Sequence, residues 1–571
     1  MPYIPENPLI VQSDRSILLE VQNPLYEAVR DDLAGFAELV KSPEFIHTYQ
    51  ITPLSLWNAA AAGHSADAII ATLQQYAKFD IPENIVVDIR EYIGRYGRLR
   101  LLCRDDGSLV LESQDTHLLV QVWKNKQCRP FLETQIDEHT LLIKPAARGY
   151  LKQALVHLGF PAEDLAGYVR GGALPVQVCS PTAGGHSFAL RDYQREAVHR
   201  FYDGGSSRGG SGVIVLPCGA GKTVVGIGVI AELAARTLII CPNTVAVRQW
   251  IAELLDKTSL TAEQLGEYTG EKKEIRPITL TTYQMLTYRP ACVGDNGEGE
   301  FPHFHLFDAE DWGLIIYDEV HLLPAPIFRI TAEVQARRRL GLTATLVRED
   351  GRETDVFSLI GPKKYDVPWR DLERSGWIAE AICTEIRLDL SEEQRMDYAL
   401  ENDSRVQYRI AAENPDKLHV VDTLLQRHRG DHVLIIGQYI DQLKHLARRT
   451  NAPLITGKTK NSERERLYAA FKRGEAPVLI VSKVANFAID LPDANVAIQV
   501  SGTFGSRQEE AQRLGRVLRP KSDGQPAFFY TLVTRDSRDQ DFAANRQLFL
   551  TEQGYRYTIL DARDLHAEAA S

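Results

Sequence analysis

Pro217-Cys218-Gly219-Ala220-Gly221-Lys222-Thr223 follows the apolar run Gly212–Leu216 and opens into Val224–Ala235, a stretch of helical composition. An apolar strand, a glycine-bearing turn, a Lys-Thr pair and a helix are the parts of a phosphate cradle. Glycines let backbone N–H groups turn inward onto phosphate oxygens, and the helix N-terminus adds partial positive charge. Lys222 can then reach the β- and γ-phosphates while Thr223 offers a hydroxyl to magnesium. Leu216 stands where the strict G-x-x-x-x-G-K-T pattern has its first glycine. A glycine-rich turn without a ligand is the bland alternative. The strand before it and the helix after it favour the cradle, with ATP and Mg2+ as the implied ligands.

Working outward, Asp318-Glu319-Val320-His321 follows the apolar strand candidate Leu314–Tyr317. Its acids therefore sit at the carboxyl end of a parallel strand, where such sheets bind ligands. Asp318 is suited to hold magnesium, directly or through water, and Glu319 to orient and deprotonate the water that attacks the γ-phosphate. An isolated Asp-Glu pair is usually a solvated turn, but beside the Lys222 loop the two acids read as a working pair.

These motifs lie in a region, from residue 186 to about 375, that alternates short apolar runs with longer helical patterns. Thr237–Cys241 and Arg339–Leu342 are further strand candidates there. The alternation returns after residue 430, with Val433–Gly437, Val478–Val481, Val496–Val500 and Ala527–Val533. This is the pattern of α/β architecture with parallel sheets, here two lobes in tandem. Ser391–Lys417, polar and charged, reads as a helical insertion between them. In the second lobe, Gln512, Arg516 and Arg519 fall on one face of a helix predicted to begin near Ser506. Such a face is either a solvated basic surface or a set of arginine fingers crossing to a phosphate in the preceding lobe, and the Lys222 loop favours the fingers.

The N-terminal third has a different texture. Thr52-Pro53 reads as an N-cap and first helical residue, with further helices expected near Asp67–Tyr76 and Pro82–Tyr96. Leu99–Cys103, the turn Asp105-Asp106-Gly107 and Leu109–Glu112 form a hairpin pattern. Three helices and a hairpin suggest a winged helix, or a small accessory domain that reads no groove. The expected division is an α+β N-terminal accessory region over 1–115, a second accessory segment over 116–183, a first lobe over 184–375, and a second lobe over 376–571 carrying the insertion at about 391–417.

At 571 residues the chain is too long for a single core. Hydrophobic content of 44% and charged content of 25% are ordinary for a soluble protein. No apolar run approaches the roughly 20 residues that span a bilayer, and the first residues lack a secretory signal pattern, so no membrane association and a cytoplasmic location are expected. The seven cysteines are scattered, with no C-x-x-C spacing, which argues against a disulfide framework or zinc site. A net charge of −11 excludes a uniformly basic coat, so any nucleic-acid contact must sit in a local groove.

In order, spacing and identity, these motifs resemble the XPB family of superfamily 2 DNA helicases, in its bacterial form, whose two lobes are RecA-like. Leu190-Arg191-Asp192-Tyr193-Gln194 is similar to the adenine-reading Q motif, which implies ATP contacts for Arg191 and a base-edge contact for Gln194. Gly341-Leu342-Thr343-Ala344-Thr345 resembles the motif that, with His321, couples hydrolysis to movement. Val478–Asp490 resembles motif V, implying an ATP contact for Asp490, and Gln512–Arg519 resembles motif VI. Arg348-Glu349-Asp350 matches the family's strand-separation element, and 391–417 takes the place of its thumb. The resemblance covers roughly 186–535 and more loosely the N-terminal third. It implies a 3′-to-5′ DNA helicase driven by ATP and Mg2+, in DNA repair or a transcription-linked process. Its partner would be single-stranded DNA or a duplex junction, with a separate nuclease or repair protein as a further partner.

Asn243-Thr244, Thr281-Thr282 and Thr456-Gly457-Lys458 are candidate phosphate grips, or ordinary caps and loops. The competing functions are a double-strand translocase that separates no strands, an RNA helicase, and a non-catalytic nucleic-acid-binding scaffold. Asp-Glu-Val-His and Arg-Glu-Asp favour DNA. Joint retention of Lys222, Thr223, Asp318, Glu319, Arg516 and Arg519 argues against the scaffold.

Overall fold

The computed structural model describes residues 3–43, 45–217, 219–289, 301–335, 337–344, 351–367, 372, 381–482, 494–502, 526–552 and 555–569. Two seven-stranded sheets dominate it. In the first, the strands run in the order Leu265–Tyr268, Ile278–Thr282, Thr237–Cys241, Leu314–Asp318, Arg338–Thr343, Ser211–Val215 and Lys363–Asp366, all parallel. The central strands are almost purely apolar because helices cover both faces of the sheet, and Leu-Ile-Ile-Tyr at 314–317 is wholly buried. Register pairs Val215 with Thr343 and Asp318 with Leu342. Three adjacent strands thus deliver the phosphate loop, the acidic pair and the Thr343-Ala344 turn to one end of the sheet.

The second sheet runs Leu454–Ile455, Val478–Ser482, Val433–Gly437, Val496–Gln499, Ala527–Thr534, Ala381–Leu388 and Arg556–Asp561, again all parallel. The expected strands are all present, most with ends within a residue of the pattern. Ala381–Leu388 and Arg556–Asp561 went unrecognised because polar residues interrupt them, as in Thr384-Glu385. The expected helical insertion is built of Glu392–Leu400 and Ser404–Ala412, and it runs into the helix Asp416–Arg427.

The N-terminal elements form where the sequence puts them. Thr52 caps Pro53–Ala61 in a reciprocal box with Ser55, and the hairpin pairs Leu99–Cys103 with Leu109–Glu112. They are divided between two cores, however, and do not close on each other as a winged helix would. The helices Pro53–Ala61, Ala66–Tyr76 and Glu83–Arg95 share a core with a four-stranded antiparallel sheet drawn from residues 9–50. The hairpin joins Leu132–Asp137, Thr140–Ile143 and Ala162–Asp164 in a five-stranded sheet with its own core, so that sheet takes strands from both sides of residue 115. Strands of three to six residues carry too little pattern to reveal these partners.

Both accessory units are seated on the motor. The helix Arg148–Leu158 packs on Ala325–Glu333 so closely that a Cβ at Gly149 would lie 2.4 Å from the Ala332 carbonyl oxygen. Beneath it, Asp164 binds Arg148 and Lys152 at 2.7 and 2.9 Å, and Lys152 also donates to Gln335. The N-terminal unit meets both lobes. Lys363 N–H donates to Asn58 Oδ1 at 2.8 Å, and Gln547 Nε2 donates to the Ser42 carbonyl at 2.7 Å.

Candidate active site

The phosphate loop leaves the strand Ser211–Val215 and enters the helix Lys222–Leu233. Gly219 and Gly221 have φ of +83° and +81°, conformations that L side chains rarely adopt. A Cβ at Gly221 would also lie 2.6 Å from Gln194 Nε2. Gln194 and Tyr193 are the loop's braces, since Gln194 Nε2 and the Tyr193 hydroxyl both donate to the Ala220 carbonyl, at 3.0 and 2.7 Å. Gln194 Oε1 accepts from Arg191 N–H at 3.0 Å, and an Arg191 guanidinium N–H donates to the Tyr193 hydroxyl at 3.1 Å. Arg191 and Gln194 thus lie against the loop, with the Gln194 amide engaged at both ends by backbone. Pro217 and Ala220 are buried; Lys222 and Thr223 are partly exposed.

Asp318 ends its strand, and Glu319 follows in a left-handed conformation with φ +51° and ψ +57°. A non-glycine residue there carries roughly 1–2 kcal/mol of backbone strain. The two carboxylates have different partners. Asp318 Oδ2 accepts the indole N–H of Trp250 at 3.0 Å in a buried contact. Glu319 Oε1 lies 3.3 Å from the Lys222 ammonium. Burial raises the Asp318 carboxyl above its ordinary range, the neighbouring Glu319 carboxylate adds to this, and the Trp250 hydrogen bond opposes it. Burial pushes Glu319 the same way, but the Lys222 ammonium, then His321, outweigh it and hold Glu319 below its usual value. Glu319 is therefore held ionised and can act as an acceptor.

His321 Nδ1 and Thr343 Oγ1 are hydrogen-bonded at 2.6 Å, and His321 Nδ1 lies 3.5 Å from Glu319 Oε2. Ala344 N–H also bonds the Glu319 carboxylate. The acidic pair and the Thr343-Ala344 turn therefore form one connected unit. The hydroxyl of Thr223 and the carboxylate of Asp318 are hard oxygen donors of the kind that suit Mg2+. Among the described residues no cluster of three or more His, Cys, Asp or Glu side chains could hold a metal alone. A cation here would depend on phosphate oxygens as well, the usual arrangement for Mg2+ with a nucleotide.

The structure thus brings together Arg191, Gln194, Pro217, Gly219, Ala220, Gly221, Lys222, Thr223, Asp318, Glu319, His321, Thr343 and Ala344. Cys218, Thr345, Arg348, Glu349, Asp350, Asp490, Gln512, Arg516 and Arg519 lie outside the described residues. Three of the candidate grip residues serve local roles. Asn243 caps its helix through Ala246 N–H, Thr282 caps through Met285 N–H, and Thr456 sits in a turn closed by Thr459. Sequence reasoning missed Trp250, Tyr193 as a brace, and Tyr283, whose hydroxyl donates to the Asp318 carbonyl at 3.0 Å.

Two parallel-sheet lobes with this loop and acidic pair define a helicase-type nucleoside-triphosphate motor. Residues 372–570 match the ERCC3/RAD25/XPB C-terminal helicase family, 187–348 the type III restriction enzyme res subunit family, and 9–137 a helicase conserved C-terminal domain. The chain is 55% identical to the DNA 3'-5' helicase XPB of Kineococcus radiotolerans, covering 98% of this chain and 97% of that protein. It is 54% identical to the Mycobacterium tuberculosis protein of the same name, covering 98% and 99%. Identity is 33% to a general transcription and DNA repair factor IIH helicase/translocase subunit XPB from Enterocytozoon bieneusi, covering 98% and 93%. The chain belongs to the XPB helicase family.

Proposed function

We propose that this protein is an ATP-dependent 3′-to-5′ DNA helicase, and that the Lys222–Glu319 contact at 3.3 Å is the resting state of its catalytic pair. In that state the ammonium and the carboxylate neutralise each other. The triphosphate of ATP competes for Lys222, and withdrawal of the ammonium leaves Glu319 free to orient and deprotonate the attacking water. Thr223 and Asp318 would hold Mg2+, which when bound neutralises phosphate charge. Gln512, Arg516 and Arg519 would meet the γ-phosphate from the second lobe. His321, linked to Thr343, would pass the change in Glu319 to Thr345 and on to Arg348-Glu349-Asp350, where strands are parted. Arg191, Gln194 and Asp490 complete the nucleotide site.

The name of the Enterocytozoon bieneusi relative, a subunit of a general transcription and DNA repair factor, supports a DNA repair or transcription-linked role, and a separate repair protein or nuclease is a further partner in this reading. Among the described residues no helix is long and apolar enough to cross a membrane, and a cytoplasmic location fits a DNA motor. Unwinding of 3′-tailed against 5′-tailed duplexes, with hydrolysis followed on single-stranded DNA, duplex and RNA, tests the reading. Unwinding confined to 3′ tails with DNA-stimulated hydrolysis is expected. Hydrolysis stimulated by duplex without unwinding would replace it with a double-strand translocase.

A further inference from the structure

Trp250 lies two turns into the helix Thr244–Lys257, which starts at the candidate grip Asn243-Thr244. It is 1% exposed, and its indole N–H donates to Asp318 Oδ2 at 3.0 Å. Space for the ring is made by the phosphate-loop helix, where a Cβ at Gly226 would lie 2.4 Å from Trp250 Cη2. Glycine inside a helix weakens it, and what this one secures is the seat of the indole.

We infer that Trp250 is a positioning residue for the metal-binding carboxylate. This rests on the reading of Asp318 as a magnesium ligand. Holding one carboxylate oxygen fixes the rotamer of Asp318 before the cation arrives, as hydrogen-bonding partners behind metal ligands commonly do. The same bond ties Asp318 to the helix that begins at Asn243.

Mn2+ binding to the full-length protein, counted by electron paramagnetic resonance with a non-hydrolysable ATP analogue present, tests this alongside affinity for the analogue in chelator. Trp250→Phe should weaken Mn2+ about ten-fold and leave metal-free analogue binding unchanged. Asp318→Asn should abolish the Mn2+ signal. Replacing Trp250 with 3-benzothienylalanine keeps the bicyclic shape without the N–H, and should match Trp250→Phe even if that variant folds poorly. Wild-type Mn2+ affinity in the benzothienyl variant, with loss in Asp318→Asn, would overturn the positioning role. Wild-type affinity in Asp318→Asn as well would overturn the metal reading beneath it.

Discussion

Each lobe contains a lysine–carboxylate pair, and the two do different work. Lys417 and Asp539 in the second lobe are 2.7 Å apart with side chains 0% exposed. Lys417 also donates to the Val500 carbonyl, and Asp539 Oδ2 accepts from Thr534 N–H. Lys222 and Glu319 in the first lobe are 3.3 Å apart, each 13% exposed, at the mouth of a glycine loop. The first pair is anchored by backbone groups and sealed from water. The second is looser and open on the side where phosphate would enter. A buried charge pair does not itself mark a site; a partner that can be exchanged for a ligand does.

The contrast is broken most severely by removing the sealed ammonium. Lys417→Ala leaves Asp539 buried opposite a void and should cost about 4 kcal/mol of stability, read by urea denaturation. Asp164→Asn strips the carboxylate from a cluster of Arg148 and Lys152 and should cost about 3 kcal/mol at pH 7. Burial pushes the Asp164 carboxyl up, but Arg148 and Lys152 more than reverse this and hold it below its ordinary range. A folded-state value below the unfolded one, near about 4, stabilises the protein above that pH and ceases to do so as pH falls through the folded value. The stability gap between wild type and Asp164→Asn should therefore narrow on acidification below about pH 4. Lys222→Ala sharpens the contrast from the other side. Hydrolysis should fall about 100-fold or more while stability falls by less than in Lys417→Ala, because this pair is not fully sealed from water. The smallest effect expected is Thr52→Ala, which removes a helix cap far from either pair and should cost about 1 kcal/mol with hydrolysis unchanged.

What could be read from sequence follows the same division between local and long-range structure. Strands such as Thr237–Cys241 and Val433–Gly437 are buried on both faces, so their apolar runs stand out in the chain. The sheet from residues 9–50 is built of short strands of mixed polarity, such as Ile46–Gln50, and gave no such signal. Lys222-Thr223 and Asp318-Glu319 are contiguous motifs whose chemistry needs their neighbours in the chain. Trp250 reads as the apolar face of a helix, and its bond to Asp318 spans 68 residues, so it exists only once that helix is packed against the sheet. Lys417 was legible only as part of a polar insertion, because its burial depends on Asp539 from the far end of the second lobe. The winged-helix expectation failed for a similar reason: helices and hairpin were recognised one by one, while their division between two cores is set by partners distant in sequence.

We propose that Glu319, released from Lys222, activates water for DNA-driven ATP hydrolysis. Steady-state hydrolysis by wild type and Glu319→Gln, with and without DNA, tests it most directly. DNA-stimulated turnover that falls about 1,000-fold in Glu319→Gln, with ATP still bound, is the predicted result. Equal turnover in the two proteins, or wild-type turnover that DNA does not stimulate, would rule out Glu319 as the base of a DNA-driven motor.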